Sequence, residues 1–383
     1  MNRFTLAESR RLRALEAVIE GDGSRLRKIR GTAGSMIPQG QSQNHQSLNK
    51  NPIEASVIIP TFNGASRIGN CLEALLEQTA GRDVQILVVN DGSSDNTSDV
   101  VRRYSTVVLI NQANAGPAAA RNRGALESSG KVILFTDDDC IAAPHWLHSM
   151  LQPFCDPEVV GAKGAYRTRQ KSLVARFVQI EYEDRYRLMS GADAIDFIDT
   201  YSAAFRRERF FEMDGYDTSF PVACAEDVEL SYRMSNSGWK MKFAPDAIVY
   251  HTHPGTLRAY AEKKYKFAFW RVMAVRKNPG KGIKDSHTPQ LMKLQLLFAP
   301  ALLLALALDL TMRPNVPASL LVIGLFFLST LPFAIRAFRK NPVVGLLSPA
   351  LLAVRACAQL VGVIGGVAYA LLSPAKIASK SHA

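Results

Sequence analysis

Val132-Ile133-Leu134-Phe135-Thr136-Asp137-Asp138-Asp139 joins an apolar run to three consecutive carboxylates. The first five residues read as a buried strand, because a short run of apolar, largely β-branched and aromatic residues suits a sheet covered on both faces. The carboxylates cannot extend that burial without cationic partners. They therefore mark the carboxyl end of the strand, which is where ligands bind in an open α/β sheet. Oxygen ligands of this kind suit a hard divalent cation shared with a diphosphate.

Working outward, the chain alternates between strand and helix patterns. Ser56-Val57-Ile58-Ile59-Pro60 reads as a strand, and residues 66–78 place Ile68, Leu72, Leu75 and Leu76 on one helical face. Strands are expected at 84–90 and 107–111, with a helix at 96–104 between them. A further helix begins at Gly116-Pro117, where proline suits the first turn. This order predicts an α/β nucleotide-binding fold, a mostly parallel sheet with helices on both faces. The first strand ends in Pro60-Thr61-Phe62-Asn63-Gly64 without a GxGxxG, and no Walker A sequence occurs. Phosphate must be handled by other means, and a carboxylate-held metal is the obvious one.

Four clusters fall at element ends: Pro60-Thr61-Phe62-Asn63, Asn90-Asp91-Gly92-Ser93-Ser94-Asp95, the acidic triplet, and Ala225-Glu226-Asp227-Val228-Glu229 through Arg233. Each alone has a plain structural explanation. Asn-Asp-Gly-Ser makes a turn with a helix N-cap, Glu226 and Asp227 suit a helix first turn, and Glu229 with Arg233 can form an i,i+4 pair. Arg121 and Arg123 read as solvated helix arginines, with diphosphate contact as the other option. Residues 173–188 place Leu173, Phe177, Ile180 and Leu188 on one helical face, with packing on the sheet favoured over membrane contact.

In this order and spacing, the four clusters resemble the inverting family 2 glycosyltransferases, over residues 55–253. The resemblance implies a GT-A nucleotide-diphospho-sugar transferase fold. It places Pro60, Thr61, Asn63, Asp91, Asp137 and Asp138 at the nucleotide-sugar donor, with Asp91 on the base and Asp137 on the ribose. Asp139 is implied as the ligand of Mg²⁺ or Mn²⁺, with His251 or His253 either completing the metal shell or shaping the acceptor cleft as a hydrogen-bonded histidine. Asp227 is implied as the catalytic base, with Glu226 and Arg233 in the acceptor region. The helix dipole would lower the pKa of Asp227 and the charge of Glu226 would raise it. Processive polysaccharide synthases of this family carry a QxxRW motif, and Ala268-Phe269-Trp270-Arg271 does not match it. Transfer of a single sugar, from a UDP-linked donor, to a hydroxyl of a lipid-linked or membrane-proximal glycan is therefore expected. A processive synthase and a non-catalytic nucleotide-binding membrane scaffold are the alternatives.

Composition agrees with a membrane-bound enzyme. The 383 residues carry 46 Lys and Arg against 34 Asp and Glu, a formal charge of +12. With no zinc finger or RNP motif, the excess points to anionic lipid and phosphorylated substrates, not nucleic acid. The five cysteines lack CxxC spacing, which excludes a zinc site or disulfide framework and fits a reducing compartment. Residues 1–52 read as a basic amphipathic helix and flexible linker without a secretory h-region, and 53–290 as the catalytic domain with a basic juxtamembrane region. Residues 291–375 are expected to hold two to three transmembrane helices, within 294–310, 316–335 and 343–372, with polar breaks at 309–315 and 336–341, and 376–383 a tail. The last stretch, containing Pro349 and Arg355, is one tilted helix or an interfacial segment followed by a span. Basic residues before the first span and between the second and third predict a cytoplasmic catalytic face at a bacterial inner membrane.

Overall fold

The computed structural model describes residues 53–220, 225–282 and 285–372. The expected N-terminal helix, linker and tail lie outside the described residues. The first half alternates as predicted: β1 (Ala55–Thr61), α1 (Ile68–Thr79), β2 (Val84–Asp91), α2 (Thr97–Arg102), β3 (Val107–Gln112), α3 (Pro117–Glu127) and β4 (Val132–Phe135). Next come β5 (Ile141–Ala142), α4 (Trp146–Leu151), β6 (Val159–Arg167), α5 (Leu173–Ser190), β7 (Ala203–Arg206) and α6 (Arg207–Glu212). The chain continues through α7 (Glu226–Asn236), β8 (Lys240–Tyr250) and α8 (Leu257–Lys277). It then enters α9 (Gln290–Gln295), α10 (Phe298–Met312), α11 (Ala318–Lys340) and α12 (Pro342–Leu372).

The strands form one sheet in the order β3-β2-β1-β4-β7-β6-β8-β5. Strands β1 to β4 are mutually parallel, so the carboxyl ends of β1, β2 and β4 share one edge. β7 runs antiparallel to both β4 and β6, and β5 antiparallel to β8, so the sheet is mixed beyond β4. This is the GT-A arrangement, with helices covering both faces.

β4 shows why an uninterrupted apolar strand is required. Val132 and Leu134 enter the core on one side of the sheet, and Ile133 and Phe135 the core on the other. Phe135 meets Phe205, Phe210 and Tyr216 at ring-centroid distances of 6.2, 5.5 and 5.3 Å. Truncating such a ring to alanine typically costs ~3–5 kcal/mol.

The C-terminal third departs from the expected spans in three ways. Residues 336–340 continue α11, and α10 runs on to Met312, so both polar breaks are shorter than the charges suggested. The bend between α11 and α12 is confined to Asn341, whose Oδ1 accepts the Val344 N–H at 3.0 Å. Residues 342–372 form one continuous helix despite Pro349, which removes the two-segment alternative.

Among the described residues, two helices, α11 and α12, are long and apolar enough to cross a membrane, whereas α10 has only 15 residues. Their apolar windows are 17% and 39% buried, unlike a helix in a soluble core. α12 lies against the catalytic domain along its length. Added Cβ atoms at Gly362 and Gly366 would meet the Tyr265 and Phe269 carbonyls of α8 at 2.4 and 2.5 Å, so only glycine permits this approach. Near its middle, Arg355 donates to Glu181 of α5 at 2.8 Å and to Gln295 at 2.5 Å. The apolar face of α5 therefore packs on the C-terminal helices as well as the sheet, with Phe177 against Tyr260 and Phe333.

Candidate active site

The loops that end β1, β2 and β4 are tied together before any ligand binds. Asn63 adopts φ 51°, and its Oδ1 accepts the Ser94 N–H at 2.8 Å, while the Asn63 N–H donates to Ser93 Oγ at 2.9 Å. Asp95 accepts the N–H groups of Ala65 and Thr97, both at 3.1 Å, and so closes the turn that leads into α2, whose N-cap residue Asn96 makes no side-chain cap bond. Gly92, at φ 73°, is needed here because a Cβ would lie 2.8 Å from the Asn114 nitrogen. Pro60, opposite Val89, stands in β1 one residue before this loop.

Asp91 is a keystone of this edge. Its Oδ1 accepts Gln112 Nε2 at 2.7 Å and the Ala115 N–H at 2.8 Å, and its Oδ2 accepts the Gly116 N–H at 2.9 Å. The carboxylate thus shapes the entry to α3. Oδ2 keeps a lone pair, since each carboxylate oxygen accepts about two hydrogen bonds.

The three carboxylates of the triplet have three environments. Asp138 is buried, taking the Thr61 hydroxyl on Oδ2 at 2.6 Å and a bidentate Arg67, Nε on Oδ1 at 2.8 Å and Nη2 on Oδ2 at 3.0 Å. Burial pushes its carboxyl up, against the pull of Arg67 and Thr61. Arg67 also donates to the Phe62 and Asn63 carbonyls, so Asp138 anchors the β1 loop. Gly64 makes this contact possible, because a Cβ there would meet Thr61 Oγ1 at 2.3 Å and Asp138 Oδ2 at 2.4 Å. Asp138 and the Thr61 hydroxyl, both expected at the donor, face each other inside the protein.

Asp137 is half-buried and takes Arg121 Nη2 at 2.8 Å, while Arg121 Nη1 reaches Glu226 at 3.1 Å. Arg121 is 2% exposed, which corrects its reading as a solvated arginine; Arg123 does lie at the surface, pairing with Glu127. The bridge fixes the start of α7, and hence Asp227, beside the end of β4. Glu226 is itself buried and receives the Ala225 N–H at 3.1 Å, so it supports the first turn of α7 from within. Arg233 likewise turns inward, holding Glu229 and the carbonyls of Met213 and Gly215. Both of these charges of α7 have partners within the protein: Glu226 on Arg121, and Arg233 on Glu229 and the loop before the helix.

Asp227 is half-buried, and its carboxylate accepts the Val228 N–H at 2.7 Å on Oδ1. Burial, then the charges of Glu226 and Asp199, push its carboxyl up to about 8. Desolvation and like charge therefore outweigh the helix terminus. Ser231 links Asp227 to the segment before Asp199, donating to the Asp227 carbonyl at 2.6 Å and accepting the Ile198 N–H at 2.9 Å. Asp199 pairs with buried Lys163, which also donates to Tyr201 Oη at 2.7 Å. The sequence signal for this pair was a lone lysine inside the apolar run of β6.

Asp139 is exposed, and His251 Nε2 lies 3.1 Å from its Oδ2. Partial desolvation would raise Asp139, but His251 leaves it below the usual carboxylate range. The ligand atoms of Asp139, Cys140 and His251 all fall within 4.8 Å of one another. Burial and the adjacent aspartates hold the Cys140 thiol well above its usual pKa, so it stays protonated and binds metal poorly. A carboxylate oxygen with an imidazole nitrogen fits Mn²⁺ or Mg²⁺ as part of a shell completed by diphosphate and water. His253 does not join this group. Its Nε2 meets Gln179 Oε1 at 3.0 Å, its ring stacks on Tyr182, and burial pushes it down to about 3.

Residues 56–212 match the protein-family model described as glycosyl transferase family 2. The chain is 30% identical over 231 residues to a probable glycosyltransferase, YdaM, of Bacillus subtilis, covering 56% of this chain and 54% of that protein. It is 26% identical to the poly-beta-1,6-N-acetyl-D-glucosamine synthase of Staphylococcus aureus, over 58% of this chain and 57% of the synthase. The chain spans about half the length of these curated relatives. Among solved structures, it resembles the mannosyltransferase PcManGT from Pyrobaculum calidifontis, in complex with GDP-Man and Mn²⁺. That likeness has a TM-score of 0.55 at 20% identity, over 82% of this chain and 87% of the other.

Proposed function

Residues 56–212 form a glycosyl transferase family 2 domain, and from that premise we propose that the protein is a membrane-anchored, metal-dependent inverting transferase. It moves one sugar from a UDP-linked donor to a hydroxyl of a lipid-linked or membrane-proximal glycan. The observation that carries this reading is the placement of Asp227, set beside the donor-side triplet by the Arg121 bridge between Glu226 and Asp137.

In the proposed reaction, Asp227 takes the proton from the acceptor hydroxyl as its oxygen attacks the anomeric carbon. The bond from that carbon to the diphosphate breaks, and the configuration inverts. General-base assistance of this kind contributes ~10²–10⁴-fold. Asp137 contacts the ribose while Arg121 holds its carboxylate in place. Asp91 Oδ2 accepts from the base, near which Pro60, Asn63 and exposed Phe62 form the rim. Asp139 and His251 hold the divalent cation, whose chemistry when bound is to neutralise charge on the departing diphosphate.

The described C-terminal helices support membrane anchoring. Arg336 pairs with Asp184 at 2.7 Å and Lys340 with Glu183, which puts the basic corner after α11 on the catalytic-domain side. The same asymmetry supports a cytoplasmic catalytic face, in a bacterial inner membrane, with anionic lipids nearby. α12, packed on the charged helix α8, fits a position at the membrane surface. A processive synthase is the second reading, favoured by the Staphylococcus aureus relative; the absent QxxRW counts against it. The test is a panel of nucleotide sugars with membrane glycolipid acceptors, with and without Mn²⁺, scored for product length. Addition of a single sugar only with metal supports the proposal, and metal-independent transfer removes the role given to Asp139.

A further inference from the structure

A cleft of about 350 Å³ opens where α11 meets the catalytic domain. Lys340, the last residue of α11, lines it together with Arg167 at the end of β6 and Arg187 on α5. Glu183 is the one acidic residue in the lining and pairs with Lys340, and Asp184 lies beside Arg187, so the cleft keeps a net positive charge. Although so paired, with Arg187 reaching Asp184 at 3.6 Å, the Lys340 and Arg187 side chains stay more than half exposed, at 53% and 62%, and Arg167 is exposed as well, so a ligand can reach all three cations.

Beneath the cations the lining is aromatic. The ring of Tyr186 stacks on Phe243 at 5.2 Å. The Tyr186 hydroxyl is already committed to the Tyr166 N–H at 2.7 Å and to Tyr201 Oη at 3.1 Å, so Tyr186 offers the cleft mainly its ring. A free inorganic anion would use the cations and waste the rings. A phosphate that carries a hydrocarbon chain uses both.

The location agrees. The cleft lies at the end of a helix whose apolar window is only 17% buried. Its inner wall includes Tyr166, whose ring centroid is 5.0 Å from that of His251, and the Arg167 carbonyl accepts the His251 N–H at 3.0 Å. One layer of residues therefore separates it from the proposed metal ligand.

We propose that this cleft binds the phosphate group of a membrane lipid, with the adjoining carbons against Tyr186 and Phe243. The proposal rests on α11 entering the membrane and not on the transfer reaction. Full-length protein in neutral detergent is titrated calorimetrically with dihexanoyl phosphatidic acid, dihexanoyl phosphatidylcholine and inorganic phosphate, without any sugar donor. Phosphatidic acid is expected to bind roughly tenfold or more tightly than the other two. The Arg167→Gln, Arg187→Gln, Lys340→Gln triple variant should lose roughly tenfold or more of that affinity. Glu183→Gln should tighten binding, and Lys266→Gln, exposed on α8 outside the cleft, should leave it unchanged. Equal titrations of the wild-type protein and the triple variant would overturn the site. Inorganic phosphate binding as tightly as phosphatidic acid would overturn its assignment to lipid. Because no sugar is transferred, failure here is separable from failure of the proposed activity.

Discussion

Arg121 and Glu226 lie 105 residues apart in the chain and form a buried ion pair at 3.1 Å. The same guanidinium holds Asp137 at 2.8 Å, so one side chain from α3 joins the end of β4 to the first turn of α7. Replacing Arg121 by Leu strands a buried carboxylate on one side and frees Asp137 on the other. A loss of ~3–5 kcal/mol in folding stability is expected, measured by urea denaturation. Arg121→Lys should recover only part of it, because an ammonium lacks the planar fork that reaches two partners.

The pH dependence follows from Asp227. Its carboxyl is pushed up to about 8, and a base works only when ionised, so kcat/KM should rise with pH on a limb near that value. Glu226→Gln removes the largest charge contribution to the shift, so the limb should move to lower pH. For stability the sign is opposite. A raised folded pKa stabilises below the ordinary carboxylate value, and that contribution is lost as pH rises through about 8.

The two histidines should separate cleanly. His251→Ala should raise the Mn²⁺ concentration needed for half-maximal activity by roughly 10-fold or more. His253→Ala should leave metal dependence unchanged, since His253 binds Gln179, and should instead lower thermal stability. Equal metal titrations for the two variants would remove His251 from the metal shell.

The parallel half of the fold was legible because β1, β2 and β4 are apolar runs closed by turn or acidic residues, and local pattern suffices for such strands. β7 was not, since Ala203-Ala204-Phe205-Arg206 carries no distinctive signal and its reversal is set by pairing with β4 and β6. In the site, the motifs singled out Asp137, Asp139 and Asp227, but not which neighbouring charges fold inward. Asp138, Glu226 and Arg233 all spend their charges on partners distant in the chain or on backbone carbonyls, contacts that only the tertiary structure reveals. The polar residues 336–340 resembled a loop, yet they continue α11 because Arg336 and Lys340 find Asp184 and Glu183 on α5.

Glu181 tests how the C-terminal helices are held. It receives Arg355 at 2.8 Å and Lys264 at 2.9 Å, and Tyr260 Oη at 3.1 Å. Glu181→Ala leaves two buried cations without their carboxylate, and a destabilisation of ~3–5 kcal/mol is expected by thermal or chemical unfolding in detergent. Glu181→Leu combined with Arg355→Met and Lys264→Met should recover much of that loss, since an apolar replacement of a whole buried ion cluster is often neutral.

Asp227→Asn is the most direct measurement. With the donor and acceptor turned over by the wild-type protein, kcat should fall by ~10²–10⁴-fold while the Kd for the nucleotide sugar stays unchanged. Turnover of Asp227→Asn at the wild-type rate would contradict Asp227 as the base, and with it the inverting transfer proposed for this site.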